Sequence, residues 1–166
     1  MTTTTKTSTS QTPTTLDQAL DGLRFAMVGT ADPTTHEWNS RPLTLAEQDG
    51  PVLRFLTSTE AEWVRHLDGD HSRAGVTFSD PGKNAYVALQ GRATVVADRS
   101  AIERLWSLGA KAYLDDKDNP AVRVLEVLVE RGEYWDEPGG RVGGLLTMAK
   151  AALGRDPGAE GPITLP

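Results

Sequence analysis

The chain has 166 residues, of which 38% are hydrophobic and none is cysteine, with a formal charge of -6 and a pI near 5.0. That length suits one compact domain with an apolar core, and the missing thiols exclude a disulfide framework, a thiol nucleophile and thiolate metal sites, so redox chemistry would need a borrowed cofactor. The acidic balance disfavours nucleic acid and anionic membranes as partners, since both are held by clustered cations. No apolar run approaches a membrane span and the N-terminal stretch lacks a secretory core, so a cytoplasmic protein is expected.

Met1 to Pro13 is nearly all Thr, Ser and Gln around Lys6. Such a segment buries too little apolar surface to offset its ordering entropy, which predicts a disordered tail over 1–13 and a folded domain over 14–166. Thr15 ahead of Leu16-Asp17-Gln18-Ala19-Leu20 reads as an N-cap and a short helix. From Leu23 the period becomes two, with Leu23, Phe25 and Met27 alternating against Arg24, Ala26 and Val28 as far as Gly29-Thr30, a first core strand. Turn chemistry over 31–37 leads into a second strand from Trp38 to Leu45, and Asp49-Gly50-Pro51 into a third from Val52 to Thr57. Three strands joined by turns describe a meander and not a βαβ unit.

Beyond Thr57, the run Ser58-Thr59-Glu60-Ala61-Glu62 predicts a helix start, with Trp63, Val64 and Leu67 on its apolar stripe. Ala74 to Phe78 forms another strand, 79–84 a turn, and Ala85 to Ala97 a long strand in which Gly91 marks a bulge. Ser100 with Glu103 has the form of a capping box for a helix burying Ile102, Leu105 and Trp106. Val122 to Val129 and Glu133-Tyr134-Trp135 read as the last strands, and Gly143 to Leu153 as a final amphipathic helix. The pattern is that of a small antiparallel barrel with helical excursions.

Two segments carry chemistry: Asn39-Ser40-Arg41-Pro42-Leu43, and Phe55-Leu56-Thr57-Ser58 one strand later. The arginine fork offers several donors to phosphate oxygens and stays charged at any working pH. Pro42 cannot donate to a central ladder, which places it on an edge, at a strand start or at a bulge, where a ligand can reach the backbone. A phosphate-bearing cofactor lying across the sheet and an edge strand protected from aggregation are both compatible with this pattern. Trp63 and Trp106 read as core anchors, and Trp135, between Tyr134 and Asp136, is open to either role. His36, His66 and His71 lack metal-ligand spacing, and Asp115-Asp116-Lys117-Asp118 lacks the glycine and terminal glutamate of a calcium loop, so no metal site is predicted. No side chain offers itself as an obligate acid or base, and the catalytic residues are unassigned.

Arg41-Pro42, Phe55-Leu56-Thr57-Ser58, Phe78-Ser79-Asp80-Pro81, Tyr86-Val87-Ala88-Leu89-Gln90-Gly91-Arg92-Ala93, Asp98-Arg99 ahead of Leu105-Trp106, and Glu133-Tyr134-Trp135-Asp136 follow one another in a familiar order. In that order the chain resembles the pyridoxamine 5'-phosphate oxidase-like superfamily, and within it the general stress protein 26 branch, from Leu16 to Trp135. The resemblance implies a mainly β fold with helical insertions, a six-stranded antiparallel split β-barrel. It also implies a homodimer with flavin mononucleotide (FMN) in two clefts between subunits. By the same resemblance Ser40, Arg41 and Pro42 face the flavin and its phosphate, and Leu56, Thr57 and the adjoining Ser58 approach the ring. Trp106 and Lys111 fall on a helical segment near the cleft, and Trp135 comes from the partner subunit. One departure stands out: the lysine that pairs with the phosphate in relatives falls on Trp63, beside Glu60 and Glu62. FAD or the deazaflavin F420 therefore stay open as alternatives to FMN. The function implied is a flavin-dependent oxidoreductase of unknown substrate, or a flavin-binding or flavin-sequestering stress protein.

Overall fold

The computed structural model describes residues 15–65, 67, 72–83, 85–136 and 159–166. Thr15 caps α1 (Leu16–Ala19) in a reciprocal box: its backbone N–H donates to Gln18 Oε1 at 3.0 Å and its hydroxyl accepts from the Gln18 N–H at 3.3 Å. The helix is short, yet Leu16 and Leu20 are both buried in the main core together with Ile163 near the C-terminus. A bridge from Thr15 to Thr164 ties the two ends.

Seven strands follow: β1 (Phe25–Ala31), β2 (Trp38–Asp49), β3 (Val52–Ser58), β4 (Ser72–Asp80), β5 (Ala85–Val96), β6 (Val122–Asp136) and β7 (Ala159–Pro162). Their order is β3-β2-β1-β4-β5-β6-β7, and β3 also pairs with β6, so β1 to β6 close into a six-stranded antiparallel barrel with β7 added beside β6. The first hairpin and the meander are as the turn chemistry predicts. The alternation of β1, however, turns its smaller side chains inward: Ala26, Val28 and Thr30 are buried, whereas Phe25 is 78% exposed. A barrel of six strands has a narrow interior, and Phe55, Phe78 and Leu89 already occupy it.

Between the strands lie α2 (Glu62–Arg65), α3 (Arg99–Leu105) and α4 (Leu108–Leu114). The capping box expected at Ser100 and Glu103 is not formed. Asp98 is the N-cap instead, accepting from the Ala101 N–H at 3.0 Å with its carboxylate at the positive end of the helix, and Ser100 already lies within α3. The expected pair of last strands is one continuous β6, since its ladder with β5 runs through Gln90↔Arg131 and Leu89↔Gly132. Gly91 does mark a bulge: the register shifts between Gln90 and Gly91, and a Cβ there would fall 2.0 Å from the Leu128 carbonyl oxygen. The tail over 1–13 and the helix predicted from Gly143 to Leu153 lie outside the described residues.

α3 and α4 cover a second apolar cluster outside the barrel wall, where Ile102, Leu105 and Val122 meet Leu56, Trp106 and Leu114. Val124 and Leu125 are both fully buried because β6 is covered here on both faces, one turned to the helices and one to the barrel core. No helix among the described residues is long and apolar enough to cross a membrane.

Candidate functional site

The barrel is split on one side. β2 pairs with β1 along the whole of 38–44, but with β3 only from Leu45 onward, where a bulge interrupts the register between Leu45 and Glu47. Residues 38–44 thus diverge from the end of β3. The Leu45 N–H donates to the Arg24 carbonyl and the Asp32 N–H to the Glu37 carbonyl, so odd-numbered residues of β2 turn their backbone toward β1 and even-numbered ones toward the split. Pro42 therefore lacks an N–H on the side where no strand would accept it.

Arg41 stands on the inward face beside the split, opposite Val28. Its Nη1 donates to Thr30 Oγ1 at 3.0 Å and its Nη2 to the Asn39 carbonyl at 2.6 Å, while the guanidinium carbon lies 4.1 Å from the centre of the Trp63 ring. The cation is thus oriented by a buried hydroxyl, a carbonyl and a π face, the last worth about 0.5–2 kcal/mol. No carboxylate among the described residues pairs with it, and burial pushes its pKa below the ordinary arginine value. Trp63 packs partly against the main core as well, so one indole is both a core contact and the shelf of Arg41.

Arg54 on β3 is arranged the other way. Its Nε donates to Glu126 at 2.7 Å and its Nη1 to Glu47 at 2.6 Å, and Glu47 also bonds Arg104 of α3. Glu126, then Glu47, hold Arg54 above its usual pKa. Burial pushes the Glu47 carboxyl up, but the two arginines outweigh it and leave it below its ordinary value.

The other sequence-predicted residues are dispersed. Ser40 and Pro42 lie on the outer face of β2, and the Ser40 hydroxyl accepts from Trp38 Nε1 at 3.1 Å. Thr57 is buried at 4% exposure on the inward face, whereas Leu56 points outward into the cluster that contains Trp106. Ser58 ends β3 and its hydroxyl accepts from the Glu60 N–H at 3.1 Å. Lys111 is exposed on α4. Trp135 lies opposite Tyr86 at the far end of β6 from Val124, against whose cluster Trp106 packs. At strand rise those two ends are roughly 35 Å apart, so one protomer does not bring Trp106 and Trp135 to one flavin-sized ligand.

Sequence reasoning read Thr30 only as the end of a strand and gave Asn39 no role of its own within the Arg41 segment, although the hairpin register that pairs them also puts Arg41 two residues along on the same face. It passed over Trp38 too, whose ring fills the space above Gly29 and Gly75; a Cβ at Gly29 would fall 2.4 Å from that ring. Paired glycines opposite a tryptophan become a signal only once β1 and β4 are known to be neighbours.

Residues 11–157 match the family model described as pyridoxamine 5'-phosphate oxidase like. Protein bli-3 of Neurospora crassa is 25% identical over 156 residues, which cover 83% of this chain and 74% of that protein. Among solved structures, a protein assigned as general stress protein 26 from Jannaschia sp. CCS1 superposes with a TM-score of 0.68 at 25% identity, over 89% of this chain and 94% of that one. A Clostridium acetobutylicum protein related to general stress protein 26 gives 0.61 at 24% identity, over 72% and 84%. The general stress FMN/FAD binding protein of Xanthomonas citri gives 0.60 at 23%, over 71% and 83%.

Proposed function

This chain belongs to the pyridoxamine 5'-phosphate oxidase-like family, and from that premise we propose that it is a cytoplasmic flavin-binding oxidoreductase that holds FMN in the split between β2 and β3. The observation that carries this reading is Arg41: a half-buried guanidinium, already oriented, with no carboxylate among the described residues to neutralise it. Two of its nitrogens are engaged by Thr30 and Asn39, and its remaining N–H donors suit a phosphate. That the Xanthomonas citri relative is an FMN/FAD binding protein supports the same reading.

Within the proposed cleft Arg41 binds the phosphate, Thr30 and Trp63 orient it, and Thr57 and Ser58 line the β3 side. A bound flavin would supply hydride chemistry that no amino-acid side chain offers, and the chain contributes binding, orientation and exclusion of water. A second copy completes the site. Trp135 cannot reach the α3 and α4 side of its own protomer, so in this reading Trp135 of the partner subunit closes the cleft. Phe25, Met27, Tyr86 and Trp135 are large, apolar and at least 37% exposed on the outer face, a surface that twofold association would cover.

Visible absorption of the purified protein, followed by FMN titration read as flavin fluorescence quenching, tests the reading. A flavin spectrum or saturable quenching is expected, and the band position separates FMN and FAD from F420. Absence of both would overturn it. Reoxidation of the reduced protein by one acceptor class supports the oxidoreductase assignment, whereas equal rates across acceptors would reduce the function to flavin binding.

A further inference from the structure

The outer face of the barrel carries a concavity of about 620 Å³ beside the Met27 and Tyr86 surface that the flavin reading gives to twofold association, and no flavin contact of that reading falls in it. Its size falls within the range of small-molecule sites, roughly 300–1,000 Å³. Its floor is the backbone of β4 and β5 laid bare at Gly75, and one wall is Trp38. The indole is held in place: its Nε1 donates to Ser40 Oγ at 3.1 Å, and its ring rests where side chains at Gly29 and Gly75 would otherwise stand, a Cβ at Gly75 coming 3.1 Å from it. Even so it is 55% exposed, so an aromatic surface remains open to solvent.

The opposite side is cationic. Arg131 is fixed by two hydrogen bonds to Gln90 Oε1. Arg92 pairs with Glu130 at 2.7 Å. Arg73, facing Arg92 across the β4–β5 ladder, is exposed and makes no hydrogen bond or ion pair with any described residue. Of the charged side chains that line the concavity, Arg73 and Arg131 are guanidiniums and Glu130 is a carboxylate already paired with Arg92, which leaves a local excess of positive charge on a chain whose net charge is -6. Such an island draws anions against the field of the whole molecule.

We propose that this concavity is a second ligand site, which takes a planar aromatic anion. The ring packs on Trp38 over the bare backbone at Gly75, and the carboxylate or phosphate is held by the forks of Arg73 and Arg131. Arg41 points to the inward face of β2 and Trp38 to the outer one, so the two sites share a strand but no side chain.

Calorimetric titration of the full chain with 2-naphthoate, and with the neutral isostere 2-naphthamide, tests the assignment in the presence and absence of saturating FMN. One saturable naphthoate site per chain is expected, with naphthamide at least tenfold weaker and naphthoate affinity unchanged by FMN. Arg73→Gln and Trp38→Leu should each weaken naphthoate at least tenfold while leaving the FMN titration as in the wild type, and Arg73→Gln should also leave the thermal melt unchanged. No saturable naphthoate binding, equal binding of the amide, or undiminished affinity in Arg73→Gln would overturn the proposal. Displacement of naphthoate by FMN would also overturn it, by showing one cleft and not two. Failure of the flavin reading appears separately, in the FMN titration alone.

Discussion

Arg41 and Arg54 lie on neighbouring strands of one barrel, and their surroundings contrast. Around Arg54 the barrel is closed: β3 is paired on both sides, and Glu126, Glu47 and Asp49 surround the cation. Around Arg41 the strands part, and among the described residues the cation meets a hydroxyl, a carbonyl and a ring but no carboxylate. Where the ladder is complete, charge is compensated from within and residue identity serves stability. Where it opens, both backbone and charge are left available to a ligand.

The comparison breaks most visibly in the closed half. Phe55 is fully buried on β3, and Phe55→Ala should cost about 3–5 kcal/mol of stability, read by denaturant titration. Flavin affinity of the molecules that remain folded should be unchanged; an affinity loss on that scale would mean the two halves are not separable.

Arg41→Ala should behave in reverse. Loss of a charge-assisted contact to phosphate removes about 1.5–3 kcal/mol of flavin binding, roughly a 10- to 150-fold weaker Kd. The melting temperature should change little, because removing a partly desolvated charge offsets the lost contacts to Thr30, Asn39 and Trp63. Wild-type affinity in fluorescence quenching would detach Arg41 from the ligand.

Trp63 sharpens the point, since it touches both halves. Trp63→Leu should weaken flavin binding by about 0.5–2 kcal/mol through the lost ring beneath Arg41, and Trp63→Phe should recover most of it. A core role alone would lower the melting temperature of both variants and leave the affinity of the folded protein untouched.

The smallest effect belongs to the Glu47 network. Glu47→Gln should cost about 0.5–1 kcal/mol, since the pairs are partly exposed. The pH dependence has a definite sign. The folded carboxyl titrates below its ordinary value, so its contribution is fully present above about 4.5 and is lost as the pH falls through the depressed value. Thermal melts across that acid range should show the wild type losing its advantage over Glu47→Gln, and a constant gap would refute the assignment.

Much of this was legible in the chain itself. The Thr15 N-cap, the turns at 31–37 and 49–51, and Gly91 each act through local backbone chemistry, and each appears where its neighbours demand it. Arg41 and Pro42 were legible as a pair for the same reason: a fixed cation and a missing donor are properties of the residues, whatever surrounds them. Closure of the barrel alone decided the rest. It turned Ala26 and Val28 inward in place of Phe25 and Met27, because a narrow interior accepts volume and not hydrophobicity. It also carried Trp63 to Arg41 and set Gly75 of β4 beneath Trp38. Those contacts join residues far apart in sequence, and no local periodicity records which strands become neighbours.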